Sequence, residues 1–105
     1  MATNRLDVLR QMVEQDPKNT FARYGLAMEL ANQGNLQLAV EEYRNVLQED
    51  ENYAAAYYHG GQALEKLGQV EQARMLYEKG IEVTTRKGDG HTRAEIEAAL
   101  SLLPI

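Results

Sequence analysis

Residues 33–43 read Gln33-Gly34-Asn35-Leu36-Gln37-Leu38-Ala39-Val40-Glu41-Glu42-Tyr43, and 34 residues on, Leu67-Gly68-Gln69-Val70-Glu71-Gln72-Ala73-Arg74-Met75-Leu76-Tyr77 repeats the same order of types. Gly34, Leu36, Ala39 and Tyr43 meet Gly68, Val70, Ala73 and Tyr77 at that one separation. A period of this length marks an array of helical hairpins, because one amphipathic hairpin cannot bury its apolar face alone and must stack on a neighbour.

Each unit divides at its glycine. Leu26 and Leu30, then Leu36, Val40, Tyr43 and Leu47, recur at steps of three and four, so each stretch carries one apolar stripe. Gly34 and Gly68 can adopt the left-handed conformation that ends a helix, so the two stripes fold back on each other as an antiparallel pair. Upstream, Leu6, Leu9, Met12 and Val13 form a lone amphipathic stretch, the second half of a hairpin without its first, and Asp16-Pro17 ends it. Thr84-Thr85-Arg86-Lys87-Gly88-Asp89-Gly90-His91 reads as the longest break in the chain. Thr92 with Glu95 then offers a capping box for a last helix that carries Ile96, Ala99, Leu100 and Leu103 on one face. Six helices are predicted, at about 4–15, 20–33, 36–49, 54–67, 70–86 and 92–102.

Composition narrows the functional classes. The chain has 105 residues, enough to bury roughly two-thirds of its unfolded surface as a single domain. It has no cysteine, which removes disulfides and thiolate chemistry and fits a cytoplasmic setting. No apolar run reaches the ~20 residues of a membrane span, so no membrane role is expected. A net charge of −5 disfavours nucleic acid as a partner, since phosphates require a basic face. Acidic groups concentrate in residues 20–53, where Glu49-Asp50-Glu51 could attract a basic partner.

Candidate chemistry is thin. His59-Gly60-Gly61 invites comparison with a phosphate or oxyanion loop, yet helical periodicity runs through both sides of it and no nucleophile elbow exists. The two histidines stand 32 residues apart, too few for a zinc site, and Ser101 is the only serine. No catalytic residue, metal site or cofactor is expected, and the chain does not read as an enzyme.

The pattern resembles the tetratricopeptide repeat, W-x2-L-G-x2-Y followed by A-x3-F and P. Arg23, Leu26, Ala27, Leu30, Ala39, Tyr43 and Glu51 stand at those positions in the first unit, and Tyr57, Gly60, Gly61, Leu64, Ala73, Tyr77 and Thr85 in the second. The departures are the missing tryptophan, the missing prolines after both units, and Gly60 at the leucine position. The resemblance implies an all-α fold of antiparallel hairpins in a short right-handed superhelix. Residues 1–105 form one domain, with an N-terminal helix at 4–15, repeats at 20–53 and 54–87, and a capping helix at 92–103. Ala27 and Gly61 would face Ala39 and Ala73, letting the helices approach closely, while the tyrosines fill the space between hairpins.

In this family the first helix of each hairpin lines a concave groove. Carried over by position, the groove residues are Phe21, Tyr24, Met28 and Asn32 in the first unit and Tyr58, His59, Gln62 and Lys66 in the second. These types suit a peptide: aromatic area, a pliable thioether and hydrogen bonds to extended backbone. The resemblance thus implies a scaffold that binds a peptide or helix of another protein. Members that clamp a peptide's terminal carboxylate share lysine and asparagine at slots held here by Tyr24, Met28 and His59, so that specialisation is not expected. A second class of function is self-association as a weak homo-oligomer, through the terminal helices and the apolar tail Leu102-Leu103-Pro104-Ile105.

Overall fold

The computed structural model describes residues 4–104. Among them are six helices and no strand: α1 (Arg5–Gln15), α2 (Thr20–Asn32), α3 (Leu36–Glu49), α4 (Ala54–Lys66), α5 (Val70–Lys87) and α6 (Gly90–Ser101). Asparagines begin the first two. The side chain of Asn4 accepts from the Asp7 N–H at 2.9 Å and that of Asn19 from the Ala22 N–H at 3.0 Å, satisfying donors that a helix start leaves unpaired. Gly34 and Gly68 take φ of +85° and +78°. The following N–H groups, of Asn35 and Gln69, reach back to the carbonyls of Leu30 and Leu64 at 2.8 and 2.9 Å, closing each turn. These turns fold α3 onto α2 and α5 onto α4 as antiparallel hairpins. α1 packs on α2, and α6 on α4 and α5.

The long break expected at 84–91 is only a two-residue turn. Thr84 and Thr85 stay helical, and their hydroxyls donate to carbonyls one turn back, Thr84 to Gly80 at 2.8 Å and Thr85 to Ile81 at 2.7 Å. The helix stops at Gly88, with φ of +73°. Asp89, rather than Thr92, caps the last helix: its carboxylate accepts from the Thr92 N–H at 3.1 Å, and that bond holds its pKa below the ordinary value. α6 therefore starts at Gly90, two residues before its expected start. The tail is not a free apolar end either. Leu103 is buried and Arg74 Nη2 donates to the Pro104 carbonyl at 2.6 Å, although Leu102 is exposed and Ile105 lies outside the described residues.

Small residues set the helix spacing. A Cβ at Gly61 would lie 2.1 Å from Tyr77 Cε1, so the space beside this glycine is taken by the tyrosine ring of its own hairpin. A Cβ at Gly60 would meet Leu76 Cδ2 at 3.0 Å and Tyr43 Cβ at 3.3 Å. Leu76 and the tyrosine of the preceding hairpin thus occupy the volume that a leucine at position 60 would fill. Gly80, which periodicity alone does not single out, lies against Tyr57, whose Cβ would be 2.6 Å from an added Cβ.

The missing tryptophan has a polar replacement. Arg23 Nη1 pairs with Glu42 at 2.7 Å, both side chains largely buried, while its Nη2 donates to the Pro17 carbonyl at 2.9 Å. In the next unit Tyr57, 34 residues on, donates its hydroxyl to the Glu51 carbonyl at 2.7 Å. Positions 17 and 51 are themselves one period apart, so two chemically unlike side chains tie the same loop to the same helix. Nor is the acidic run 49–51 unattended: Arg86 lies 3.8 Å from Glu51, and Lys87 donates to the neighbouring Asn52 carbonyl at 2.8 Å.

Urea denaturation can rank these contacts. Gly61→Ala and Gly80→Ala should each lose about 2 kcal/mol or more, because a rigid ring or Cβ blocks the added methyl. Gly60→Ala should stay within about 1 kcal/mol of wild type, since improved helix propensity offsets a tight but pliable contact. Equal losses at positions 60 and 61 would contradict the placement of Tyr77. Arg23→Met should lose about 2 kcal/mol by stripping Glu42 and the Pro17 carbonyl of their partner, and a silent substitution would remove that account.

Candidate functional site

The first helices of the hairpins, α2 and α4, lie side by side, and α6 follows against α4. Their shared face carries a line of rings. Tyr24 stands with its ring centre 5.1 Å from that of Tyr53 and 6.0 Å from that of His59, which meets Tyr58 edge-on at 5.0 Å. All four side chains are half-buried, packed at the back and open at the front. Below them, Tyr43 donates its hydroxyl to the Met28 sulfur at 3.0 Å, and Tyr77 donates to Glu65.

Three hollows lie along this face. One of about 220 Å³ between α2, α3 and α4 is lined by Met28, Asn32, His59, Gln62 and Lys66, among others. A second, of about 380 Å³, separates α4 from α6 and is walled by Tyr58, Gln62, Glu65, Glu95, Ala98, Ala99 and Leu102. The third, of about 600 Å³, opens between α1 and α2 beside Phe21, Tyr24, Met28 and Asn32. Met28 and Asn32 are shared by the first and third, and Gln62 by the first and second, so the three join into one path.

The electrostatics of the path are set by burial and by two carboxylates. Burial pushes the Tyr43 and Tyr77 hydroxyls far above the ordinary tyrosine value, with Tyr24 adding to the first and Glu65 to the second; both remain protonated donors. Tyr24 is raised chiefly by burial, then by Tyr53 and Glu95. His59 moves the other way: burial lowers its pKa below the ordinary 6.5, and Glu95 only partly offsets this. A neutral imidazole keeps one donor and one acceptor for a ligand. Tyr58 accepts from Gln62 Nε2 at 2.9 Å, which leaves the tyrosine proton available. Glu95 lies 3.7 Å from His91. Among the described residues no three His, Asp or Glu side chains converge as metal ligands.

All eight residues singled out by position lie along α2 and α4 and line one or more of these hollows: Phe21, Tyr24, Met28, Asn32, Tyr58, His59, Gln62 and Lys66. Phe21 and Tyr24 line only the hollow beside α1, where Phe21, in the first turn of α2, is 75% exposed. Three contributors escaped sequence reading. Tyr53 occupies the cap slot that Asn19 fills one period earlier, so its type suggested no role, while Glu65 carried no signal and Glu95 read as part of a capping box.

The tetratricopeptide repeat family matches residues 22–53 and 54–85, and the chain belongs to that family. It is 24% identical over 98 residues to a TPR repeat-containing protein of Pseudomonas aeruginosa, covering 93% of each chain. A tetratricopeptide repeat domain from Salinibacter ruber, solved in solution, is 32% identical, with a TM-score of 0.75 over 81% of this chain and 86% of that one. YrrB, described as a TPR protein with an unusual peptide-binding site, is 28% identical, with a TM-score of 0.82 over 92% of this chain and 47% of its own. The fold is thus that of a protein-interaction module built on stacked helical hairpins. No helix of the described residues is long and apolar enough to cross a membrane.

The state of His59 is open to direct measurement. Its NMR titration should have a midpoint below 6.5. The unfolded chain binds this proton at a higher pH than the folded one, so stability is full above 6.5 and declines as the pH falls below that value. His59→Gln should flatten that slope in thermal melts, and a midpoint at or above 6.5 would show that burial does not dominate the site.

Proposed function

We propose that the path across α2, α4 and α6 binds an extended segment of another protein, without catalysis and in a cytoplasmic setting. The observation that carries this reading is the line of Tyr24, Tyr53, His59 and Tyr58, whose half-buried rings adjoin polar groups with unused capacity. Aromatic side chains held in place at the back offer contact area at little entropic cost, the property that marks binding hot spots. The peptide-binding description of YrrB supports the same use of the fold.

The α4–α6 hollow supports a narrower statement about the ligand. Two carboxylates, a tyrosine and apolar Ala98, Ala99 and Leu102 line it, and neither lysine nor arginine does. A lysine or arginine of the ligand would rest its stem on the alanines and bring its charge between Glu65 and Glu95, with the Tyr58 ring alongside. The same acidity argues against nucleic acid, whose phosphates these carboxylates would repel.

Selection of a displayed random-peptide library on the wild-type protein, counter-selected on Tyr24→Ala/Tyr58→Ala, tests the reading. The best peptide should carry a basic residue, lose roughly tenfold or more in affinity to the double variant, and shift amides of α2, α4 and α6. Shifts confined to the opposite face, around Leu38 and Met75, would overturn it.

A further inference from the structure

The internal repeat shows which surface is unfinished. α1 stands one period before α3, and two before α5, yet among the described residues no helix pairs with it as α2 pairs with α3 and α4 with α5. The consequence is visible position by position: Met12 is 39% exposed where Val46 is fully buried, and Leu9 is 9% exposed where Tyr43 is 1%. Three of the six large apolar side chains exposed among the described residues, Val8, Met12 and Phe21, border the resulting groove of about 600 Å³. Single exposed apolar groups need no explanation, but a contiguous set around a concavity marks a contact surface.

Two substitutions within the repeat limit what can enter. Arg5 and Glu29 stand where the interior repeat has Ala39 and Ala63, both buried, and here they form an ion pair of 3.6 Å across α1 and α2. That pair fills the space that alanines keep free, so one end of the groove is closed to a helix lying at the interior depth. The other end, around Met12 and Gly25, stays apolar and open. Phe21 projects from its lip. Knob and hole thus belong to one face, and the rim carries one charge of each sign, which is the self-complementarity a two-fold interface requires. The opposite terminus does not match this groove: α6 presents the Arg93–Glu97 pair at 3.5 Å, a charged surface unsuited to an apolar slot.

We propose that the α1–α2 groove is the contact between two copies of this chain, related by a two-fold axis, with Phe21 of each copy entering the groove of the other. The groove meets the proposed ligand path at Met28 and Asn32 on α2, but the contact does not depend on that reading. Sedimentation equilibrium of the full chain, from low micromolar to millimolar concentration, should show the mass rise from one chain to two and stop there. Phe21→Asp should raise the dissociation constant by roughly an order of magnitude or more, as should Met12→Glu, while Leu102→Asp leaves it unchanged. Phe21 is too exposed for its loss to unfold the chain, and a matching thermal melt verifies that. Isotope-filtered NOEs in a mixed labelled sample should connect the Met12 methyl of one copy with the Phe21 ring of the other. A monomer at every concentration overturns the proposal, including one that binds a synthetic helical peptide in this groove, which would assign the groove to a different partner. A dimer indifferent to Phe21→Asp, or polymers that keep growing with concentration, overturns it equally.

Discussion

Tyr77 can lie across α4 only because Gly61 has no Cβ, and the position of α5 against α4 follows from that contact. The ring is fully buried and its hydroxyl is satisfied by Glu65, so the same side chain that sets the spacing also fixes a carboxylate on the wall of the α4–α6 hollow. Tyr43 does the equivalent work one period earlier. It fills the volume beside Gly60 in the next hairpin and donates to Met28 below the ring line. Size matching in the core and placement of polar groups on the concave face are therefore one constraint read from two sides. Interiors pack at the density of organic crystals, so neither tyrosine can shift without displacing the helix it touches.

Much of the architecture was legible because two periodicities reinforce each other. The steps of three and four mark helices, and the 34-residue period marks their pairing, so α3 is recovered at its observed limits and the others within two residues. Legibility failed where a local competitor had no periodic signature. Thr84 and Thr85 look like strand or loop residues, yet the helix runs through them to Lys87 with their hydroxyls bonded backward along it. Asp89 and Thr92 both resemble caps, and the carboxylate, placed just after the left-handed Gly88, takes the role. Gly80 passed unnoticed because its partners, Tyr57 and Ile96, come from two other helices.

The site was legible to the extent that it repeats. Tyr24 and Tyr58 share a register, and both lie on the shared face with His59 and Gln62 beside them. Phe21 follows the same arithmetic but is far more exposed, since in the first turn of α2 it depends on what packs beside it, and among the described residues α1 alone borders it there. Tyr53 and Glu95 were illegible for a related reason: one replaces a capping asparagine, and the other comes from a helix joined by a turn of different length. Repetition predicts the middle of an array better than its ends.

The rings are also positioned in a way that bears on how firmly they can hold a ligand. Tyr24, Tyr58 and His59 project from helices and Tyr53 from the cap of α4, and Tyr24 and His59 meet edge-on across the gap between hairpins, so a motion of one repeat against the other would break aromatic contacts as well as core packing. Side chains ordered before binding lose little freedom on contact, whereas each rotamer-rich side chain immobilised at an interface costs about 0.5–1.5 kcal/mol. Lys66 and Asn32, both exposed, lie at the margin of the path and lack such support. The path therefore has a rigid aromatic centre and adaptable polar edges, a division in which the centre provides affinity and the edges discriminate among segments that all fit it.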